Sequence, residues 1–425
     1  MFKKHKPSVA AKRGMLMAVA GMLGAFVLLS AGAATAQQTN EAQAVFRASA
    51  LLPGQSLAGP NYRIEETVRN DGFMNRYTVT VAGKPYTVDG NALLRIRLSE
   101  LKALEFMETV KKTDVYTKSL KKAATGPLST AKGMVTKPID TVKGAATGVG
   151  KFFSNIGHAM FGGASEQEEG VFKTVIGFAT AKRKFAYGFG IDPYTTFPPV
   201  KEVLEEIAWA GAGGGLTVSA AFMGIPGVGG SVVRGTKTTD AMNRLVRDKS
   251  PADLKKINAR KLKKMNVNNS VAELFLEHPK FSPTRKTRIV NALAFVGVYD
   301  RQHFIERAIL VQDETMAFFM QRWAEMFTAY HIKVKPLARF YRLGKMPIAQ
   351  RPDGTLIAVL PLDHLIWTDE IAARHAANMR DITTVPGVTS GEIWIEGTVS
   401  AAARKVLEAQ NWVVKENVGK QLGLK

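Results

Sequence analysis

The 425-residue chain contains no cysteine. That excludes disulfides, thiolate metal sites and a cysteine nucleophile. Acidic residues are scarce beside basic ones, 36 against 58, and the formal net charge is +22. No acidic residue precedes Glu41, and histidine occurs seven times. Complete H-E-x-x-H, G-x-S-x-G, Walker A and G-x-G-x-x-G motifs are missing, so none of the chemistries they mark can be read from the chain. S-x-x-K triplets at Ser99/Lys102, Ser119/Lys122 and Ser129/Lys132 lack the accompanying S-D-N and K-T-G elements and read as chance.

What is present begins with Lys3, Lys4, Lys6, Lys12 and Arg13. An uncharged run follows from Gly14, most apolar between Met15 and Leu29, and ends in small residues at Ala34-Thr35-Ala36 before Gln37. A basic head, an apolar middle and an A-x-A exit make residues 1–36 a cleavable export signal. The run from Gly14 to Ala36 is also long enough to cross a bilayer, so an uncleaved anchor helix is the alternative. Either reading places the protein outside the cytosol, in a periplasm or outer envelope. Removing the five cations of the signal leaves +17 on the remaining 389 residues. Such an excess attracts anionic partners over long range. Outside the cytosol these are lipid headgroups, lipopolysaccharide or acidic wall polymers rather than nucleic acid.

Hydrophobic residues make up 46% of the chain, ample for packed cores. The patterning predicts an α+β, mostly helical protein. Residues 37–60 read as an N-terminal tether. In 61–112, β-rich runs at Tyr62–Val68, Phe73–Val81 and Tyr86–Val88 are separated by Asn70-Asp71-Gly72 and Gly83-Lys84-Pro85, a small antiparallel meander. Leu93, Leu94, Ile96, Leu98, Leu101, Leu104 and Met107 then predict a long helix over 91–112 that packs on it.

Residues 113–165 form a cationic, glycine-rich amphipathic segment. Val135, Ile139, Val142, Val149, Phe153 and Ile156 recur at helical spacing among Lys132, Lys137, Lys143 and Lys151, with the aromatic pair Phe152-Phe153. Such a stretch can lie in a membrane interface with its apolar side at the acyl boundary. From Val135-Thr136-Lys137-Pro138 to Gly150-Lys151-Phe152-Phe153 it resembles the glycine-rich amphipathic stretch near the C-terminal end of bridge-like lipid-transfer proteins. The likeness covers that stretch alone and implies no shared function.

Residues 166–239 read as a linker with one helix, Val200–Trp209, and an uncharged glycine-rich run from Ile207 to Val233 that is too glycine-rich for a convincing span. A helical bundle is predicted over 240–344. Ser250-Pro251 and Ser282-Pro283 offer N-caps with proline at the first helical position, and Asp300 and Asp313 offer further caps. Lys255, Lys256, Arg260, Lys261, Lys263 and Lys264 crowd one of its helices. Residues 345–425 return to α/β: strands Pro347–Gln350, Leu356–Leu360, Glu392–Thr398 and Trp412–Lys415, with helices Leu365–Met379 and Ala401–Gln410.

Two functional readings follow. In the first, the protein is a non-enzymatic envelope protein held against an anionic membrane or envelope surface by Lys132, Lys137, Lys143, Lys151, Phe152, Phe153 and the basic helix, while the bundle and C-terminal unit bind a protein partner. No cofactor or metal is called for. In the second, it is an enzyme of unknown class acting on envelope polymers, and Asp363, His364 and His375 are its acid–base candidates.

Overall fold

The computed structural model describes residues 40–125, 166–223 and 237–424. The expected export signal at residues 1–36, the lysine and phenylalanine positions from Lys132 to Phe153, and the last part of the glycine-rich run lie outside the described residues. Described elements are predominantly helical, with one antiparallel sheet near the N-terminus and one mixed sheet near the C-terminus.

The N-terminal sheet contains β1 (Val45–Arg47), β2 (Ala58–Gly59), β3 (Tyr62–Ile64), β4 (Thr67–Asn70), β5 (Asn75–Val81) and β6 (Lys84–Asp89). Strand β5 is its spine. One edge pairs along its length with β6, and the other is shared between β4 at its start and β3 at its end. Asn75, Tyr77, Val79 and Val81 point inward while Arg76 faces out, the two-residue alternation of a half-buried strand. The expected tether contributes β1, paired antiparallel to β4, a four-residue helix α1 (Ala48–Leu51) and β2. Two- and three-residue strands carry too few alternations to register as a pattern.

Gly90 leads into α2 (Asn91–Lys111), which buries Leu93, Leu94, Leu98, Leu101, Leu104, Met107 and Val110. Ile96, read as part of that apolar face, is exposed. Helices α3 (Asp114–Thr125), α4 (Glu166–Phe189), α5 (Pro198–Gly214) and α6 (Val218–Met223) follow. The segment read as a linker is therefore largely helical. Phe185, Val200, Leu204 and Ile207 share one core with Tyr77, Leu94 and Met107. Among the described residues no helix is long and apolar enough to cross a membrane.

The central bundle contains α7 (Lys237–Asp248), α8 (Pro251–Lys264), α9 (Asn269–Glu277), α10 (Pro283–Val296), α11 (Gln302–Ala308) and α12 (Glu314–Lys333). Ser250, Ser282 and Asp313 cap α8, α10 and α12 by accepting from backbone amides. Asp300 does not cap; it lies at φ +59° and pairs with Arg339, and α11 starts without a side-chain cap. Helices α8, α10 and α12 run parallel. Asn258 Nδ2 donates to Thr287 Oγ1 at 3.0 Å, Lys261 reaches Asn291, and Thr328 Oγ1 donates to the Ala292 carbonyl at 2.9 Å. The short α9 and α11 lie in the connections that return the chain.

The C-terminal sheet has the order β13-β11-β9-β8-β7, where β7 is Arg339–Leu343, β8 Met346–Gln350, β9 Leu356–Leu360, β11 Gly391–Ile395 and β13 Trp412–Lys415. The first three strands form an antiparallel meander. Helices α13 (Asp369–Met379) and α14 (Ala401–Ala409) then carry the chain into β11 and β13, parallel to β9. Both faces are covered. Ile357 and Val359 pack on α12 with Trp323, Phe327 and Tyr330, while Leu356 and Ala358 pack beneath α13 and α14 with Trp367, Ile371 and Leu407. Helix α13 starts at Asp369 behind the Thr368 cap; the preceding His364–Leu365 is a short strand, β10, paired with β12 (Thr398–Val399).

The C-terminal and N-terminal units interlock. The amides of Asp363 and His364 donate to the Phe73 carbonyl and that of Ile366 to Gly72. Gly72, at φ +100°, lies so close to α13 that a Cβ there would stand 2.5 Å from Ile371 Cδ1. Glu41 accepts from the Trp367 amide at 2.9 Å and from the Ser400 hydroxyl.

Candidate functional site

The six cations of α8 follow from its position on the bundle surface. Leu254, Asn258 and Leu262 face inward, so the residues between them look outward. Lys255 pairs with Glu277. Lys261 is half-buried against Asn291, and burial lowers its pKa. Lys256, Arg260, Lys263 and Lys264 are exposed, and among the described residues they form no ion pair. Residues 256, 260, 263 and 264 fall on one side of a 3.6-residue helix, so their charges form one stripe. Asp253 is the one acid on the helix; it is spent on the capping box, and its hydrogen bonds with Ser250 lower its pKa. The C-terminal position of Lys261, Lys263 and Lys264 also matches the negative end of the helix dipole. That contribution is local, and it accounts for neither Lys256 nor Arg260.

The acid–base candidates are bound to separate tasks. Asp363, in the loop before β10, is half-buried where the C-terminal unit meets β5 and the start of α2. One carboxylate oxygen accepts the amides of Asn75 at 2.9 Å and Asn91 at 3.0 Å; the other lies 3.1 Å from the Asn91 amide. Asn91 is the first residue of α2, so the carboxylate caps that helix from the far end of the chain. Burial pushes its pKa up to about 7, against the pull of the two amides. His364 turns elsewhere: its Nδ1 lies 2.6 Å from Thr398 Oγ1 and its ring meets Phe46 edge-on. Burial lowers the imidazole pKa, opposed by Glu41 and Glu416. His375 hydrogen-bonds Gln410 at 2.6 Å and packs against Trp367, and burial lowers its pKa too. The three side chains do not converge on one another.

Buried charges that escaped sequence reasoning lie nearby. Arg322 on α12 donates twice to Glu396, at 3.0 and 2.5 Å, and Arg95 of α2 reaches the same carboxylate at 3.3 Å. Arg351 is held by Asp353, Glu392, Thr355 and the Tyr330 hydroxyl. Each network is internally satisfied and joins elements distant in sequence, which is a structural task. Among the described residues no group of histidine, aspartate and glutamate side chains is placed to hold a metal ion. The chain matches no protein-family model, no curated protein and no solved structure.

Proposed function

We propose that the protein is exported through residues 1–36 and acts without catalysis, associating peripherally with an anionic membrane surface. The observation that supports this reading is the stripe of Lys256, Arg260, Lys263 and Lys264, exposed and free of ion pairs among the described residues. Cations at an anionic leaflet contribute about 1 kcal/mol each, so four on one face make a useful but reversible anchor. The amphipathic segment from Lys132 to Phe153 supplies a second contact of the same chemistry, and the remaining surface of the bundle and C-terminal unit is available to a protein partner. Asp363, His364 and His375, each held by its own neighbours, offer no shared site for an acid–base reaction.

Co-sedimentation with vesicles tests the proposal. Binding requires phosphatidylglycerol, falls as salt is raised, and weakens at least about tenfold in Lys256→Glu/Lys264→Glu. Deleting residues 128–161 weakens it further. Equal binding to neutral phosphatidylcholine vesicles refutes the electrostatic reading. A reporter fused behind residue 36 that is active only in the cytosol refutes export.

A further inference from the structure

We infer that the end of the bundle where α8, α10 and α12 terminate is an insertion edge that seats in the interface of an anionic phospholipid bilayer. The inference rests on the proposed membrane association and assigns it a face and an apolar anchor. The parallel register brings the three ends together: Lys261 stands opposite Asn291, and Ala292 opposite Thr328. One turn further on come Lys264, Phe295 and Ile332. Phe295 is 65% exposed, Ile332 62%, and Tyr299, just beyond α10, 71%. Isolated exposed apolar side chains are ordinary on protein surfaces; three large ones at one end of a bundle are not.

Tyr299 is held outward by the backbone. Its amide donates to the Ala338 carbonyl, its carbonyl accepts from Phe340, and Arg339 lies over its ring at 5.3 Å. Gly297, in the left-handed conformation at φ +64°, stops α10 so that Phe295 occupies the last turn and Tyr299 the strand-like stretch beyond it. The charge around these side chains has one sign. Lys263, Lys264, Lys333 and Lys335 are exposed on the same three termini. The acid there, Asp300, is engaged by Arg339 at 2.9 Å. An aromatic and aliphatic tip ringed by lysines is complementary to a bilayer surface. The rings enter the headgroup–acyl boundary while the ammonium groups meet phosphates. Duplex nucleic acid would satisfy the lysines and leave Phe295 and Ile332 in water.

The absence of cysteine makes the test direct. Phe295→Cys in the full mature chain is labelled with an environment-sensitive fluorophore and mixed with phosphatidylglycerol/phosphatidylcholine vesicles. The emission shifts to the blue and is quenched by lipids brominated near the headgroup end of the acyl chain. The same label at Val413→Cys, on β13 at the opposite edge of the C-terminal sheet, does not respond. Phe295→Ser/Tyr299→Ser, both at exposed positions and checked for native circular dichroism, partitions about tenfold more weakly with an unchanged salt slope. If this variant binds like the parent and the label at position 295 stays in water, the insertion edge is overturned while the lysine stripe stands. If the parent fails to bind these vesicles, or binds duplex DNA instead, the proposed function falls first and this inference with it.

Discussion

Replacing Asp363 by alanine removes the group that ties the C-terminal unit to the N-terminal sheet and the start of α2. Two amides, from the buried Asn75 and the half-buried Asn91, then lose their acceptor. An orphaned buried donor costs about 1–3 kcal/mol, so the expected loss is about 2–5 kcal/mol at pH 5, where the native carboxyl is still protonated. Asparagine behaves differently. The carboxylate oxygen that accepts both amides has a carboxamide counterpart, so Asp363→Asn keeps those bonds but cannot ionise. In the native protein this carboxyl titrates near 7, well above its ordinary range. Between those limits the folded state keeps a proton that the unfolded chain has released, so this group lowers stability as pH rises from about 4 to 7, and the effect is flat above 7. Each unit of pKa difference corresponds to about 1.4 kcal/mol, which makes the fall between pH 5 and pH 8 at most about 3 kcal/mol. Urea unfolding of the parent and both variants at pH 5 and pH 8 reads this out. The parent falls relative to Asp363→Asn on going to pH 8, its margin over Asp363→Ala shrinks by the same amount, and Asp363→Ala stays below Asp363→Asn at both pH values. An alanine variant within about 0.5 kcal/mol of the parent at pH 5, or an asparagine variant with the parent's pH slope, would refute the reasoning.

Other expectations follow from the same kind of argument. Burial lowers the Lys286 ammonium to about 8 while its Nζ donates to the Leu276 carbonyl at 2.5 Å. The unfolded chain holds that proton longer, so stability rises with pH between about 8 and 10.5; Lys286→Met should abolish the rise, up to about 2 kcal/mol after allowance for its partial exposure, as measured by denaturation across that range. Glu396→Ala leaves the buried Arg322 guanidinium without its bidentate partner and should cost about 3–5 kcal/mol in a denaturant melt. Gly297→Ala forces a side chain into the left-handed region at the end of α10 and should cost about 1–2 kcal/mol in the same melt.

Local signals were legible wherever a single residue type has one physical use. Ser250, Ser282 and Asp313 are N-caps, as their placement before apolar periodicity indicates. Asp300 misleads because an aspartate beside a turn serves equally well as a cap, a turn former or an ion-pair partner, and Arg339, which decides among these, is remote in sequence. Helix α4 is obscured by Gly170, Gly177 and Gly188, which depress helix propensity. Strand β7 escapes because Arg339 and Arg342 interrupt its apolar residues at the sheet edge. The basic character of α8 is plain from composition; which of its lysines face water is set by Leu254, Asn258 and Leu262. The exposed tip at Phe295, Tyr299 and Ile332 comes from the parallel alignment of three helices, a long-range property with no local signature.

The wiring of Glu41 carries a consequence for how the molecule comes into being. Its carboxylate is claimed by Ser400, 359 positions away, and by the Trp367 amide. Glu41, made early in synthesis, thus waits for nearly the last residues before these contacts exist, and closing so long a loop is slow. A nascent polypeptide built this way stays incomplete until synthesis is almost over. For the proposed export, which threads the chain through a narrow conduit before it sets, late closure is an advantage.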